Sequence, residues 1–244
     1  MAVLCARPGG PAERLGSRFG GHGIVAFTVA IFAGLAAITA VSVGAGLLVT
    51  RLIEHAWGIG AADERVDVWL TAQRTPGRTH ASLVGSIVAG GVFLPIVVGA
   101  VALSFAVMRK WRVVAFVIFA LVVESATYRL TTLVIHSHRP RVARLEHLPV
   151  DASYPSGHTA ASVAVYGGLA LLLTSRLASA TARVLTWTLV VALVAFVASS
   201  RMYRGMHHPL DVGGGLLVGV AALLVLVFAC RVAGAAYDRQ GGRA

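Results

Sequence analysis

Lysine occurs once, at Lys110, against twenty arginines, asparagine is absent, and only ten of 244 residues are acidic. The scarcity of lysine and the lack of asparagine fit the coding bias of a GC-rich, bacterial gene. Charged residues make up 13% of the chain, about half the share in a soluble globular domain. Together with 57% hydrophobic residues, this excludes a disordered chain and a collagen-like fibre. Two cysteines, Cys5 and Cys230, exclude a disulfide scaffold, and nothing here needs an oxidising compartment. A formal net charge of +11 would suggest nucleic acid in a soluble protein. Here the arginines sit between long apolar runs, with no basic stripe or RNP-like aromatics beside them, so no nucleic-acid partner is expected. They read instead as topology signals and anion ligands.

What is present points into a bilayer. A hydrocarbon core about 30 Å thick needs about 20 apolar residues of helix. Six runs approach that length: Ile24 to Thr50, Leu83 to Met108, Val113 to Ile135, Thr159 to Leu173, Val184 to Ser199 and Val212 to Val232. Lipid offers no partner to an open backbone group, so each run is expected to be helical throughout, glycines included. The expected fold is all-α, an integral membrane six-helix bundle, with residues 1–244 forming a single transmembrane domain behind a short cytoplasmic tail of about residues 1–22. The first run is too long for the apolar region of a signal peptide and reads as an uncleaved span.

Loop charges set the orientation. Arg7, Arg14, Arg18, Arg109, Lys110, Arg112, Arg176, Arg183, Arg231, Arg239 and Arg243 fall on one side, eleven basic residues against nine on the other. The positive-inside rule places both termini in the cytoplasm. Between spans one and two, residues 62–74 carry Val66, Trp69 and Leu70 at helical spacing, which predicts an interfacial amphipathic helix with Trp57 and Trp69 at headgroup depth. Asp63, Glu64 and Asp67 on that helix are expected to form a solvated acidic face rather than a metal site.

Two outward loops, 135–157 and 200–211, are basic and rich in histidine. The first ends in Pro155-Ser156-Gly157-His158, which leads directly into span four. These are ordinary helix-start residues. The same geometry makes an anion site, because unpaired N–H groups and the positive end of the helix dipole meet the Ser156 hydroxyl and a histidine there. In the second loop, His207 and Asp211 are four apart, so the carboxylate can hold one ring nitrogen and leave the other as nucleophile. A lone pair of this kind is more often structural; Arg139, Arg201 and the Ser156-Gly157-His158 turn on the same face change that balance. Beside these motifs no Cys/His spacing suits zinc and no carboxylate cluster suits magnesium; His136 and His138 form a short His-x-His that could hold a metal but is expected to be ordinary loop sequence.

Arg139-Pro140, Pro155-Ser156-Gly157-His158, and Ser200-Arg201 with His207 and Asp211 resemble the three motifs of the type 2 phosphatidic acid phosphatase superfamily, in order, spacing and six-span setting. That resemblance implies a membrane phosphatase with no cofactor and no metal. His207 would attack phosphorus to form a phosphohistidine, Asp211 would hold its imidazole, and His158 would protonate the leaving oxygen and then activate water. Arg139, Arg201, Ser156 and the Gly157 N–H would bind the phosphoryl oxygens. The family's first motif begins with a lysine seven residues before the arginine, where this chain has Thr132. Arg129, three residues away on the same helical face, either reaches outward to bind phosphate in its place, or snorkels or pairs with Glu124 inside the bundle.

The expected activity is hydrolysis of a lipid phosphate monoester or polyprenyl diphosphate at the outer face of the cytoplasmic membrane. Two other functions fit parts of the pattern: a lipid phosphotransferase using the same histidine, and a nonenzymatic transporter or scaffold that binds anionic head groups. The sequence leaves the choice of lipid, the acceptor and the oligomeric state open.

Overall fold

A computed structural model describes residues 2–54, 58–147 and 149–241, without the side chains of 2 and 238–241. Trp57 and Arg243 lie outside the described residues. The described chain is helical, with a single isolated bridge between Ser137 and Ala152. Its principal helices are α1 (Pro11–Gly16), α2 (Gly23–Leu48), α3 (Ile59–Ala72), α4 (Pro76–Val88), α5 (Phe93–Val107), α6 (Trp111–Val134), α7 (Gly157–Ser162), α8 (Gly168–Thr174), α9 (Ala180–Tyr203) and α10 (Pro209–Gly241). Five helical stretches are long and apolar enough to cross a membrane: Gly23–Ile53, Trp111–Val134, Gly157–Thr174, Ala180–Tyr203 and Pro209–Tyr237. The chain is a multi-pass membrane protein.

The second apolar run departs from the expectation of continuous helix. It divides into α4 and α5, bent by 44° at residues 89–92, and only the pair together is long enough to span. Gly90 and Gly91 explain the break, since glycine is the weakest helix former after proline. The break exposes the Val88 carbonyl, and the Tyr166 hydroxyl donates to it at 2.5 Å. Tyr166 lies in a π-helical turn, Val163–Gly167, between α7 and α8.

Local signals elsewhere act as the sequence suggests. Pro76 opens α4 behind Thr75, whose hydroxyl accepts from Arg78 N, and Ser179 caps α9 by accepting from Ala182 N. Inside lipid, helices gain little from burying apolar surface and depend on close packing of small residues. On α10, Gly215 and Gly219 provide that contact. A Cβ at Gly215 would lie 2.5 Å from the Ser156 carbonyl oxygen, and one at Gly219 2.6 Å from that of Ala160. The backbone of α10 therefore rests on the first turns of α7. Below this contact, Phe116, Val123, Leu226 and Ala229 of α6 and α10 form the core with Ala26 and Ile31 of α2.

Helix α3 forms where a helix is expected, but its acidic residues are not on a solvated face. Asp63 and Asp67 are buried, whereas Val66, Val68 and Trp69 point outward. The acidic face is not solvated. It closes on the turn between α9 and α10, where His208 Nδ1 lies 2.8 Å from Asp67 Oδ2 and 3.8 Å from Asp63 Oδ2.

Candidate active site

The loop between α6 and α7 is held at its base by Ser153 N donating to the Ser137 carbonyl and Arg139 N donating to the Val150 carbonyl, at 3.0 and 3.1 Å. The Arg139 side chain continues the tie. Its Nε donates to the Pro149 carbonyl at 2.7 Å, Nη2 to Ala152 O at 3.0 Å, and Nη1 to Met206 O. One guanidinium thus joins this loop to the α9–α10 turn and still faces the cavity described below.

His207 sits on that turn and is 2% exposed. Its Nδ1 lies 2.8 Å from the Ser153 carbonyl oxygen. A carbonyl only accepts, so Nδ1 carries the hydrogen and Nε2 keeps its lone pair. Asp211 is farther from the ring, with Oδ2 3.9 Å from Nδ1. That oxygen accepts instead from Ser153 Oγ at 2.5 Å and from His208 N at 2.9 Å. Asp211 acts on His207 through the two neighbours that hold it, and Ser153 has a part that sequence spacing does not reveal. Burial, reinforced by the charges of Arg201, Arg139 and His158, lowers the His207 pKa well below the usual histidine value, so its imidazole is neutral.

The turn expected to bind an anion opens α7 at Gly157, with Ser156 at the N-cap and fully buried. The first turn of α7 leaves the N–H groups of Gly157, His158 and Thr159 without intrahelical acceptors. Ser156 Oγ is 3.0 Å from Thr159 Oγ1, and Ser156 N donates to the Asp211 carbonyl at 2.9 Å, which locks the turn against α10. The Tyr128 ring of α6 lies against Gly157, so a Cβ there would sit 3.2 Å from the ring.

Arg201, at 0% exposure, is the most enclosed cation of the site. Its Nη1 donates to both Glu146 oxygens at 2.9 Å and to Ser86 Oγ, while Nε and Nη2 are buried without a partner. Buried donors are ordinarily satisfied, so these two nitrogens call for a partner that the protein itself does not supply. Glu146 also accepts from Arg204 Nε at 2.6 Å. Burial alone would raise the Glu146 pKa, but the Arg201 charge and the hydrogen bonds from Arg201, Arg204 and Ser86 outweigh it and hold the pKa near 2. Neither Glu146 nor Arg204 stands out by spacing. The usable signal is that the two basic loops need a counter-ion, and Glu146 is one of only two carboxylates between Arg139 and Ser156.

His207, His158, Gly157 and Arg139 line one side of a cavity of about 410 Å³ that runs along α6 past Tyr128 and Arg129 to the α4–α5 break at Gly90 and Gly91. A larger depression of about 850 Å³ lies at the opposite ends of α8 and α9, beside Trp187 and Arg183, and carries none of these groups. Of the remaining expected positions, Thr132 is half-buried and donates its hydroxyl to the Arg129 carbonyl at 2.9 Å. His136 and His138 are exposed, His138 pairing with Asp151 at 3.2 Å. Among the described residues no three His, Cys, Asp or Glu side chains converge as metal ligands.

A family model described as PAP2 superfamily matches residues 111–233, from the start of α6 through most of α10. The chain belongs to the PAP2 superfamily. It is similar to the undecaprenyl-diphosphatase of Sulfolobus acidocaldarius, 36% identical over 107 residues that cover 44% of this chain and 48% of that protein. It is also similar to the undecaprenyl-diphosphatase BcrC of Bacillus subtilis, 36% identical over 97 residues, 37% of this chain and 44% of that one. The matched segments thus span about half the length of these relatives. The fold of this PAP2 chain resembles that of a transmembrane PAP2 type phosphatidylglycerolphosphate phosphatase from Bacillus subtilis, with a TM-score of 0.62 at 22% identity, over 81% of this chain and 92% of the other. It also resembles LpxE of Aquifex aeolicus, with a TM-score of 0.53 at 20% identity, over 66% and 92%.

Proposed function

We propose that the chain is an integral membrane phosphatase that hydrolyses a lipid phosphate at the extracytoplasmic face through a phosphohistidine, without a metal. The observation that carries this reading is the pairing of a neutral His207, hydrogen-bonded through Nδ1 and nucleophilic at Nε2, with the partnerless Nε and Nη2 of Arg201. His207 Nε2 attacks phosphorus, the bond to the lipid oxygen breaks, and His158 gives that oxygen a proton. Water, deprotonated by the now neutral His158, then cleaves the phosphohistidine and releases inorganic phosphate. Arg201, Arg139, Ser156 and the Gly157 N–H stabilise the charge on the transferring phosphoryl oxygens.

The cavity reaches the α4–α5 break on the lipid side of the bundle, which supports entry of a head group whose chain stays in the bilayer. The modest excess of basic residues at the opposite helix ends supports cytoplasmic termini and an outward site. The outward apolar face of α3 supports an interfacial position for that helix. Two undecaprenyl-diphosphatases among the similar proteins favour a polyprenyl diphosphate as substrate class.

Phosphate release by the detergent-purified protein in EDTA tests the reading, with phosphatidic acid and undecaprenyl diphosphate as substrates. Release is expected from wild type and not from His207→Ala. Release that persists in His207→Ala, or that EDTA abolishes, would refute it.

A further inference from the structure

Arg129 is an exposed charged side chain five residues from the end of the membrane-spanning helix α6, close enough to reach the interface. Glu124, on the same helix, is 2% exposed and takes its hydrogen bond from Ser125 Oγ at 3.1 Å rather than from Arg129. Among the described residues Arg129 has no ion pair and no side-chain hydrogen bond. Its side chain lines the cavity that holds His158 and His207, one residue along α6 from Tyr128, whose ring lies against the anion turn at Gly157. A cation without a counter-ion therefore flanks the place where a lipid phosphate would sit.

The charge balance of the site indicates what this cation is for. Arg201 and Arg204 share one carboxylate, Glu146, so the three groups together leave one positive charge. Arg139 already donates from all three of its nitrogens to backbone carbonyls. The one lysine of the chain, Lys110, precedes α6 at the end far from the site, so no ammonium group can contribute. These groups suit one phosphoryl group. A diphosphate ester carries a second ionised phosphate between the transferred phosphoryl group and the chain, and that phosphate must lie on the lipid side of His207, where Arg129 lines the cavity.

We infer that Arg129 binds the chain-linked, non-transferred phosphate of a diphosphate lipid and sets a preference for diphosphates over monophosphates. This role rests on the reading of His207 as nucleophile. In the first step Nε2 of His207 bonds to the terminal phosphorus and the bond from that phosphorus to the bridging oxygen breaks. The electron pair stays on the bridging oxygen, which takes its proton from His158 and leaves as the lipid monophosphate. Arg129 faces the charge that develops on this leaving phosphate, so it lowers KM and raises kcat for diphosphates alone.

Farnesyl diphosphate and farnesyl phosphate share one chain, so the ratio of their kcat/KM values isolates the second phosphate. Wild type is expected to favour the diphosphate by roughly ten- to a hundredfold, the worth of a hydrogen bond to a charged group. Arg129→Met, which suits a membrane span, should bring the ratio near one by lowering the diphosphate value alone, and adding Thr132→Lys to it should restore part of the preference. An equal loss on both substrates, or no loss on either, would overturn the assignment. Should the methionine variant not fold, a wild-type ratio near one overturns it equally well. If wild type releases phosphate but His207→Ala does so too, the nucleophile reading fails instead, which separates the two failures.

Discussion

His208 Nδ1 lies 2.8 Å from Asp67 Oδ2, which ties helix α3 to the turn that carries His207, one residue away. Leu210 N adds a second link by donating to Asp63 Oδ1 at 3.2 Å. Burial pushes the Asp63 carboxyl up to about 6. Burial would lower His208, but the Asp67 hydrogen bond and the charges of Asp211, Asp67 and Asp63 outweigh it and raise the pKa to about 9.

A histidine raised in the folded state contributes stability that is complete below its unfolded value near 6.5 and is lost as pH rises through about 9. The melting temperature in detergent is expected to fall between pH 7 and pH 10, and the fall should be smaller in His208→Gln. Equal slopes in the two proteins would mean that this pair does not govern the alkaline limb.

Asp67→Ala leaves a partly buried imidazolium without its main partner. About 2–3 kcal/mol of stability should be lost, less than for a fully enclosed pair because the His208 side chain keeps 14% exposure. Since the same turn positions His207, kcat is expected to fall with little change in KM. Steady-state kinetics beside thermal melts checks both.

Ser153→Ala removes the hydroxyl that donates to Asp211 but keeps the carbonyl that accepts from His207. A loss of about tenfold in kcat is expected, the lower end of the range for a hydrogen bond to a charged acceptor. Asp211→Asn should lose more, since it disturbs the contacts to Ser153 and His208 together. If Ser153→Ala matches wild type, the carbonyl alone holds the imidazole.

Glu146→Gln frees Arg201 and Arg204 from their shared counter-ion. With the Glu146 pKa lowered to about 2, its contribution to stability is present above about 4.5 and disappears as pH falls through 2. The variant should melt at a lower temperature near neutral pH and bind inorganic phosphate several-fold more tightly as a competitive inhibitor. An unchanged inhibition constant would show that Arg201 is not a phosphate ligand.

With His207 held neutral well below the usual histidine range, the acid limb of kcat/KM, corrected for ionisation of the substrate, should lie below the ordinary histidine value of 6.5. A profile that stays flat through the acid range with chemistry limiting would count against that role.

The spans were legible because a bilayer enforces long apolar runs, and the motif residues because Pro155 to His158 are contiguous and His207 and Asp211 are one helical turn apart. The burial of Asp63 and Asp67 was not legible, because His208, which meets Asp67, stands 141 positions away in the chain. Glu146 was hidden for another reason: it meets Arg201 from 55 positions away, and no local period records that meeting. The break at Gly90 and Gly91 was visible as residues, but whether glycines in a span bend it depends on what receives the freed carbonyl.

The Tyr166 hydroxyl is that receiver for Val88. Because the stranded oxygen already has its donor, the bend that borders the cavity between α4–α5 and α6 is anchored by the protein's own side chain, and if the proposed lipid entry lies there its frame is built in. Tyr166→Phe would take away the doorstop. The two half-helices would then be drawn toward a straighter rod, and long-chain lipids would lose their way in while a short soluble phosphate ester kept its own.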